Sequence, residues 1–151
     1  RLGFVAGAPR LIQAFAQVKD NIDSGQFKAI QLAACAGLAD RKSIERTRRH
    51  YERRLRKMVR VLRSAGFDAK MPGGTFYLYA PAPKAAGSET FANAEAASQH
   101  LILKHMISTV PWDDVGPFLR FSATFEAKGS KDDDRVISEL GTRLAAAQLS
   151  F

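Results

Sequence analysis

Gly66-Phe67-Asp68-Ala69-Lys70-Met71-Pro72-Gly73-Gly74-Thr75-Phe76-Tyr77-Leu78-Tyr79 marks the point at which the periodicity of the chain changes. Before it, Ile44, Tyr51, Leu55, Met58 and Leu62 recur at spacings of three, four and seven, the stripe of one amphipathic helix. Ser43 is placed to cap that helix and Gly66 to stop it. After it, Phe67 to Met71 reads as extended, Pro72-Gly73-Gly74 as a turn, and Thr75 to Tyr79 as a strand rich in β-branched and aromatic side chains. A helix feeding two neighbouring strands is the expectation.

Moving outward, the same alternation holds at both ends. Leu2 to Ala6 is a short apolar run ending at Gly7-Ala8-Pro9, and Pro9 is suited to open a helix over Arg10 to Lys19, so a strand and then a helix are expected. Arg1 ahead of an apolar stretch also fits the start of a secretory signal, but Pro9 and Arg10 end the run and leave its hydrophobic region marginal. Asn21-Ile22-Asp23-Ser24-Gly25 is turn chemistry, followed by an Ala-rich helix from Gln26 to Leu38 that reads as buried, with Cys35 as a small hydrophobe inside it. Pro81 to Ser88 reads as a surface loop, Phe91 to His105 as helix, Met106 to Val110 as a strand ended by Pro111, and Phe118 to Ala123 as another strand. A last helix starts near Ser130 or Asp132. Its Asp132-Asp133-Asp134 run suits the positive end of a helix dipole better than a metal cage, since no further acceptors are spaced to complete one.

With 151 residues, 46% hydrophobic and 25% charged, the chain falls in the globular range and outside the low-complexity and disordered classes. No apolar run approaches the roughly 18 to 20 residues of a membrane span, so a soluble chain without membrane partners is expected. One cysteine and three histidines give no zinc-ligand spacing, and a reducing compartment, the cytoplasm, is compatible with that cysteine usage. The net charge of +8 is local: Asp40 to Arg63 hold 11 of the 23 basic and 3 of the 15 acidic residues, and the remainder is neutral. That makes a nucleic-acid or polyanion module built on this helix one reading. The other is a solvated outer face, favoured because the arginines fall on the polar side of the helix and no nucleic-acid motif accompanies them. His100 and His105, five apart, are not expected to share a helix face. Gly73-Gly74 lacks a phosphate-loop pattern and reads as a hairpin turn.

Two arginines stand apart. Arg1 precedes an apolar run, and Arg120 is set among aromatics in Phe118-Leu119-Arg120-Phe121-Ser122. A guanidinium among apolar neighbours is costly unless it meets an anion, and its fork matches carboxylate or phosphate. On pattern alone Arg120 is either an anion clamp or an arginine on the exposed side of an edge strand.

These residues resemble those of the class I/II aminotransferases of fold type I. Arg1-Leu2-Gly3-Phe4 is similar to the stretch that follows the Schiff-base lysine in that family, which would place the lysine upstream of this sequence. Lys19-Asp20-Asn21-Ile22-Asp23-Ser24-Gly25-Gln26-Phe27 with Ala29-Ile30-Gln31 resembles a segment of the LL-diaminopimelate and alanine aminotransferases. Gly73-Gly74-Thr75-Phe76-Tyr77 and Phe118-Leu119-Arg120-Phe121-Ser122 are similar, in order, to the small-domain hairpin and the carboxylate-binding arginine strand.

The resemblance implies an α/β fold in which residues 1–40 end a large domain that binds pyridoxal 5′-phosphate and residues 41–151 form the small domain, helices packed on a short sheet. It implies that Arg1 contacts the cofactor phosphate, that Asn21 faces the active site of the partner subunit of a homodimer, and that Arg120 holds the α-carboxylate of an amino acid or a 2-oxo acid. It implies a piece of an enzyme that moves an amino group, with LL-diaminopimelate as a candidate donor, inactive alone; a lyase of the same fold is the alternative. Where relatives carry a glycine-rich loop, this sequence has Val110-Pro111-Trp112-Asp113-Asp114-Val115-Gly116-Pro117. Trp112 either shapes the pocket or packs, and Asp113 and Asp114 are candidates to repel a distal carboxylate or to recruit a distal ammonium, which would suit diaminopimelate.

Overall fold

A computed structural model describes residues 2–151; Arg1, and with it the expected phosphate contact, lies outside the described residues. The chain divides into two compact units, Arg1–Arg46 and Thr47–Phe151.

The first unit holds α1 (Pro9–Lys19), α2 (Lys28–Ala39) and the first residues of α3 (Arg41–Ser64). Pro9 stands in the first turn of α1 as expected, where a missing N–H costs nothing. The run Leu2 to Ala6 forms no strand. An extended segment needs a neighbour to accept its backbone hydrogen bonds, and the first unit has no strand among its described residues. None of the residues of α1 or α2 is buried, so the expectation of a buried α2 is overturned, and Cys35 is exposed. The cap of α3 is Asp40 rather than Ser43: its Oδ1 accepts the Ser43 N–H at 3.0 Å.

The second unit is built on β1 (Tyr77–Pro81), β4 (Val110–Trp112) and β5 (Phe118–Ser122), which form an antiparallel sheet in the order β1-β5-β4. A smaller antiparallel ribbon joins β2 (Ala85–Ala86), β3 (Glu89–Thr90) and β6 (Leu149–Ser150) in the order β3-β2-β6. Its strand β2 lies within Pro81 to Ser88, the stretch expected to be a surface loop. The remaining helices are α4 (Ala94–His105) and α5 (Ser130–Ala146). One face of the larger sheet, carrying Leu78, Ala80, Leu119 and Phe121, closes the core together with Leu55, Met58 and Leu62 of α3, Leu101 of α4 and Ile137 of α5. The expected stripe of α3 is thus the stripe that packs. Gly66 ends the helix at φ +95°, and a Cβ there would come within 2.8 Å of the Phe151 ring, so glycine is required on both counts.

Three local expectations change. Phe67 to Met71 does not pair with Thr75 to Tyr79; β1 begins at Tyr77 and pairs with β5. Thr75, at φ +77°, takes a left-handed backbone that interrupts any extended run, and Phe67 turns into the core, 2% exposed, against Phe121. Met106 is also left-handed, φ 53°, as the C-cap of α4, which delays β4 to Val110. Pro111 lies inside β4 rather than ending it, because β4 is an edge strand and its outer side asks for no N–H donor.

The Asp132-Asp133-Asp134 run does start a helix. Asp132 accepts the Lys128 N–H at 2.9 Å, and Asp134 pairs with Lys57. Asp133 is fully buried and takes Arg54 Nε at 2.9 Å and Arg53 at 3.2 Å. Arg54 in turn donates to the carbonyls of Ala123 and Phe125 and stacks over the Phe125 ring. Arg54 is therefore a core residue, not part of the solvated arginine face. Burial pushes the Asp133 carboxyl up, but the hydrogen bonds and charges of Arg54 and Arg53 outweigh it and hold it below the usual carboxylate value.

The rings of His100 and His105 do meet, with centroids 5.4 Å apart, contrary to the five-residue argument. His100 Nδ1 lies 3.0 Å from Glu89 Oε2. Burial, then the charge of His100, lower the His105 pKa.

Candidate active-site face

In antiparallel pairs, residues directly opposite share a face. The register Tyr77↔Ser122, Tyr79↔Arg120 and Pro81↔Phe118, with Val110↔Arg120 and Trp112↔Phe118, therefore places Tyr77, Tyr79, Val110, Trp112, Phe118 and Arg120 on the side of the sheet away from the core. That side is aromatic and partly open: Tyr79, Val110 and Trp112 are 41–42% exposed. Tyr79 and Phe118 stack at 4.6 Å with an interplanar angle of 12°, and Phe76 leans on Tyr77 at 4.5 Å.

Arg120 sits in the central strand of this face, so it is not the edge-strand arginine of the alternative reading. Half-buried, its guanidinium lies 4.3 Å from the centroid of the Tyr77 ring. Among the described residues it has no carboxylate partner and no side-chain hydrogen bond. This contrasts with the buried Arg54, whose donors are taken up by Asp133 and two carbonyls. A cation held over an aromatic ring with its fork unspent is able to bind a carboxylate bidentately. Tyr77 was not singled out in the sequence as the partner of Arg120; the strand register was the missing information.

Asn21 lies in the first unit, in the turn after α1, exposed, with Nδ2 donating to the Gln17 carbonyl at 2.8 Å. Lys19 and Asp23 close the same turn with an ion pair at 2.6 Å. The side-chain oxygen of Asn21 has no hydrogen bond among the described residues. Asn21 and Arg120 belong to different units.

Asp113 is occupied. Its Oδ1 accepts the Ala94 N–H at 2.8 Å and its Oδ2 the Glu95 N–H at 3.2 Å, while the Asn93 side chain accepts from Ala96 at 2.9 Å. The carboxylate expected to meet a substrate is thus spent on the N-terminus of α4, where the helix dipole favours it. Asp114 is exposed.

A family model described as aminotransferase class I and II matches residues 1–136. The chain belongs to the class I and II aminotransferase family. It is 50% identical over 157 aligned positions to the LL-diaminopimelate aminotransferase of Methanococcus maripaludis, an alignment covering 100% of this chain and 38% of that protein. Against the LL-diaminopimelate aminotransferase of Methanocaldococcus jannaschii the identity is 49%, again covering 100% of this chain and 38% of the relative. The chain therefore spans 38% of the length of these curated relatives.

Solved structures share the fold. Substrate-bound BacF from Bacillus subtilis superposes with a TM-score of 0.75 at 25% identity, covering 96% of this chain and 35% of BacF. The aspartate aminotransferase from Rhizobium meliloti gives 0.73 at 27% identity, covering 93% of this chain and 36% of that one. The expected aminotransferase α/β fold is borne out, with helices packed on one face of a short sheet and an aromatic face bearing Arg120 on the other.

Proposed function

We propose that this chain is part of an enzyme that moves an amino group between an amino acid, of which LL-diaminopimelate is the leading candidate, and a 2-oxo acid, and that Arg120 anchors the α-carboxylate of both. The observation that carries this is the unspent guanidinium at the centre of an aromatic sheet face. A 50% identity to proteins named for LL-diaminopimelate supports the choice of donor. Residues 1–40 belong in this reading to the large domain and residues 41–151 to the small one; the division of the chain after Arg46 is close to that boundary.

The residues suit the expected cofactor as far as their chemistry goes. Arg1 offers a fork for a phosphate, and Asn21 has a side-chain oxygen with no partner among the described residues. Arg1 and Asn21 would hold pyridoxal 5′-phosphate, Asn21 across a homodimer interface, while the lysine that carries the cofactor lies upstream of Arg1. When bound, the cofactor supplies the electron sink for the amino acid. What this chain supplies is orientation. Two parallel N–H···O bonds from Arg120 fix the carboxylate plane, and with it the direction of the Cα–H bond, while Tyr77 keeps the guanidinium from swinging into water. We place the enzyme in the cytoplasm, where an exposed thiol such as Cys35 stays reduced. No described helix is long and apolar enough to cross a membrane.

Steady-state amino transfer from LL-diaminopimelate to a 2-oxo acid by the full-length protein tests the reading. Arg120→Lys replaces a fork by a point charge. A charge-assisted hydrogen bond is worth about 1.5–3 kcal/mol, so kcat/KM should fall by about tenfold to a hundredfold. Parent-like kinetics with several amino acids would remove the carboxylate assignment.

A further inference from the structure

The turn between β4 and β5 is pinned at three places. Asp113 grips the first turn of α4 through the N–H groups of Ala94 and Glu95. The Gly116 N–H closes back on the Asp113 carbonyl at 3.4 Å, and the Pro117 carbonyl accepts the Ala82 N–H at 2.8 Å. Gly116 stands at φ +122°, where a Cβ would come within 3.0 Å of the Phe118 ring, so the turn admits little else at that position. The pinned segment carries Trp112 on the Arg120 face and sets Asp114 two residues further along the chain. Trp112 is opposite Phe118 and hence on that face, and Asp114 follows one residue after the grip, exposed.

The two aspartates therefore differ in what they are free to do. The Asp113 charge is met by two amides at the positive end of a helix, one on each carboxylate oxygen, which fixes its side chain against α4. Asp114 is the carboxylate left over. A short turn with an open tip recognises a distant charge only if its own conformation is already fixed, because ordering it on binding would cost affinity.

We propose that Asp113 is a positioning residue for substrate selection: by latching the β4–β5 turn to the N-terminus of α4 it holds Trp112 and Asp114 at the rim of the Arg120 face, where Asp114 selects amino acids with a distal ammonium. This deepens the carboxylate-anchor reading and rests on it. The latch is the part that acts through others, and Asp114 is the part that meets the substrate.

The test uses the full-length protein and the variants Asp113→Ala, Asp113→Asn and Asp114→Asn. In Asp113→Ala, hydrogen exchange should speed up by about tenfold or more at the Ala94 and Glu95 amides and across residues 110–117, with the rest of the second unit unchanged. The ratio of kcat/KM for LL-diaminopimelate over an amino acid without a distal ammonium should fall by about fivefold or more, mainly through KM for LL-diaminopimelate. Asp113→Asn keeps an acceptor and should recover part of both effects. Asp114→Asn should lower the ratio without touching exchange.

A selectivity ratio unchanged in Asp113→Ala overturns the proposal, as does a ratio that falls while exchange stays at the parental rate. If Asp113→Ala does not fold, Asp113→Asn carries the same two readouts. Failure of the underlying reading looks different: Arg120→Lys would then leave every substrate unaffected, whatever the Asp113 variants do to exchange.

Discussion

In Thr47–Phe151, Leu55, Met58 and Leu62 of α3 meet Leu78, Leu119 and Phe121 of the sheet, and all six are at most 3% exposed. In Arg1–Arg46, Phe4, Leu11, Phe15, Ile22, Phe27, Ile30 and Leu32 are all at least 47% exposed. Both stretches are rich in large apolar side chains, and α1 repeats apolar residues at helical spacing as α3 does. An amphipathic pattern records that a face is meant to be covered; it does not supply the cover. In the second unit the sheet is there to receive the stripe. In the first, the apolar residues have the character of surface meant for another body, which fits their proposed place at the end of a large domain.

Two substitutions bear on this contrast, the larger in the packed unit. Asp133→Ala strands the buried Arg54 without its carboxylate. Removing one member of a buried pair costs about 3–5 kcal/mol, which chemical denaturation of the full-length protein would report as a lost or lowered midpoint for the small domain. The same pair sets an acid limit. Because the folded Asp133 pKa is held below its unfolded value near 3.9, its contribution to stability is complete above that pH and is lost as pH falls through the folded value. A midpoint insensitive to Asp133→Ala at neutral pH would mean that Arg54 is satisfied by the two carbonyls alone.

The smaller effect belongs to the exposed unit. Leu32→Ala in this 151-residue chain should move stability by no more than about 0.5 kcal/mol, the range of surface substitutions. In the full-length protein, where another body is expected to cover that side chain, the cost should rise to about 2 kcal/mol or more. Equal and small effects in both would dissolve the contrast.

How far the lettering carried depends on which interaction decides each element. Helices were legible because their signals are local: Pro9 opens α1, Gly66 closes α3, and the acid run starts α5. Strand limits were not, since Thr75 and Met106 adopt left-handed backbones that no local rule anticipates for those residue types. Pro111 misled for a related reason, because whether a proline ends a strand depends on the strand's being at an edge. Arg54 carried a signal that went unread: it lies three residues after Tyr51 and four before Met58, on the apolar stripe itself. In the site, Arg120 was visible as a charge among aromatics. The roles of Tyr77 and Asp113 depend on contacts over long sequence separations, 43 residues in one case and 18 to 19 in the other, which no spacing rule encodes.

In the function proposed for Arg120, its fork is kept free for a carboxylate. Isothermal titration of a 2-oxo acid into the full-length protein and its Arg120→Lys variant measures that directly. The Kd should rise by about tenfold or more in the variant, with a nearly unchanged unfolding midpoint, since among the described residues the guanidinium makes no ion pair or hydrogen bond and Lys keeps a cation beside the Tyr77 ring. Equal affinities for the two proteins would contradict it.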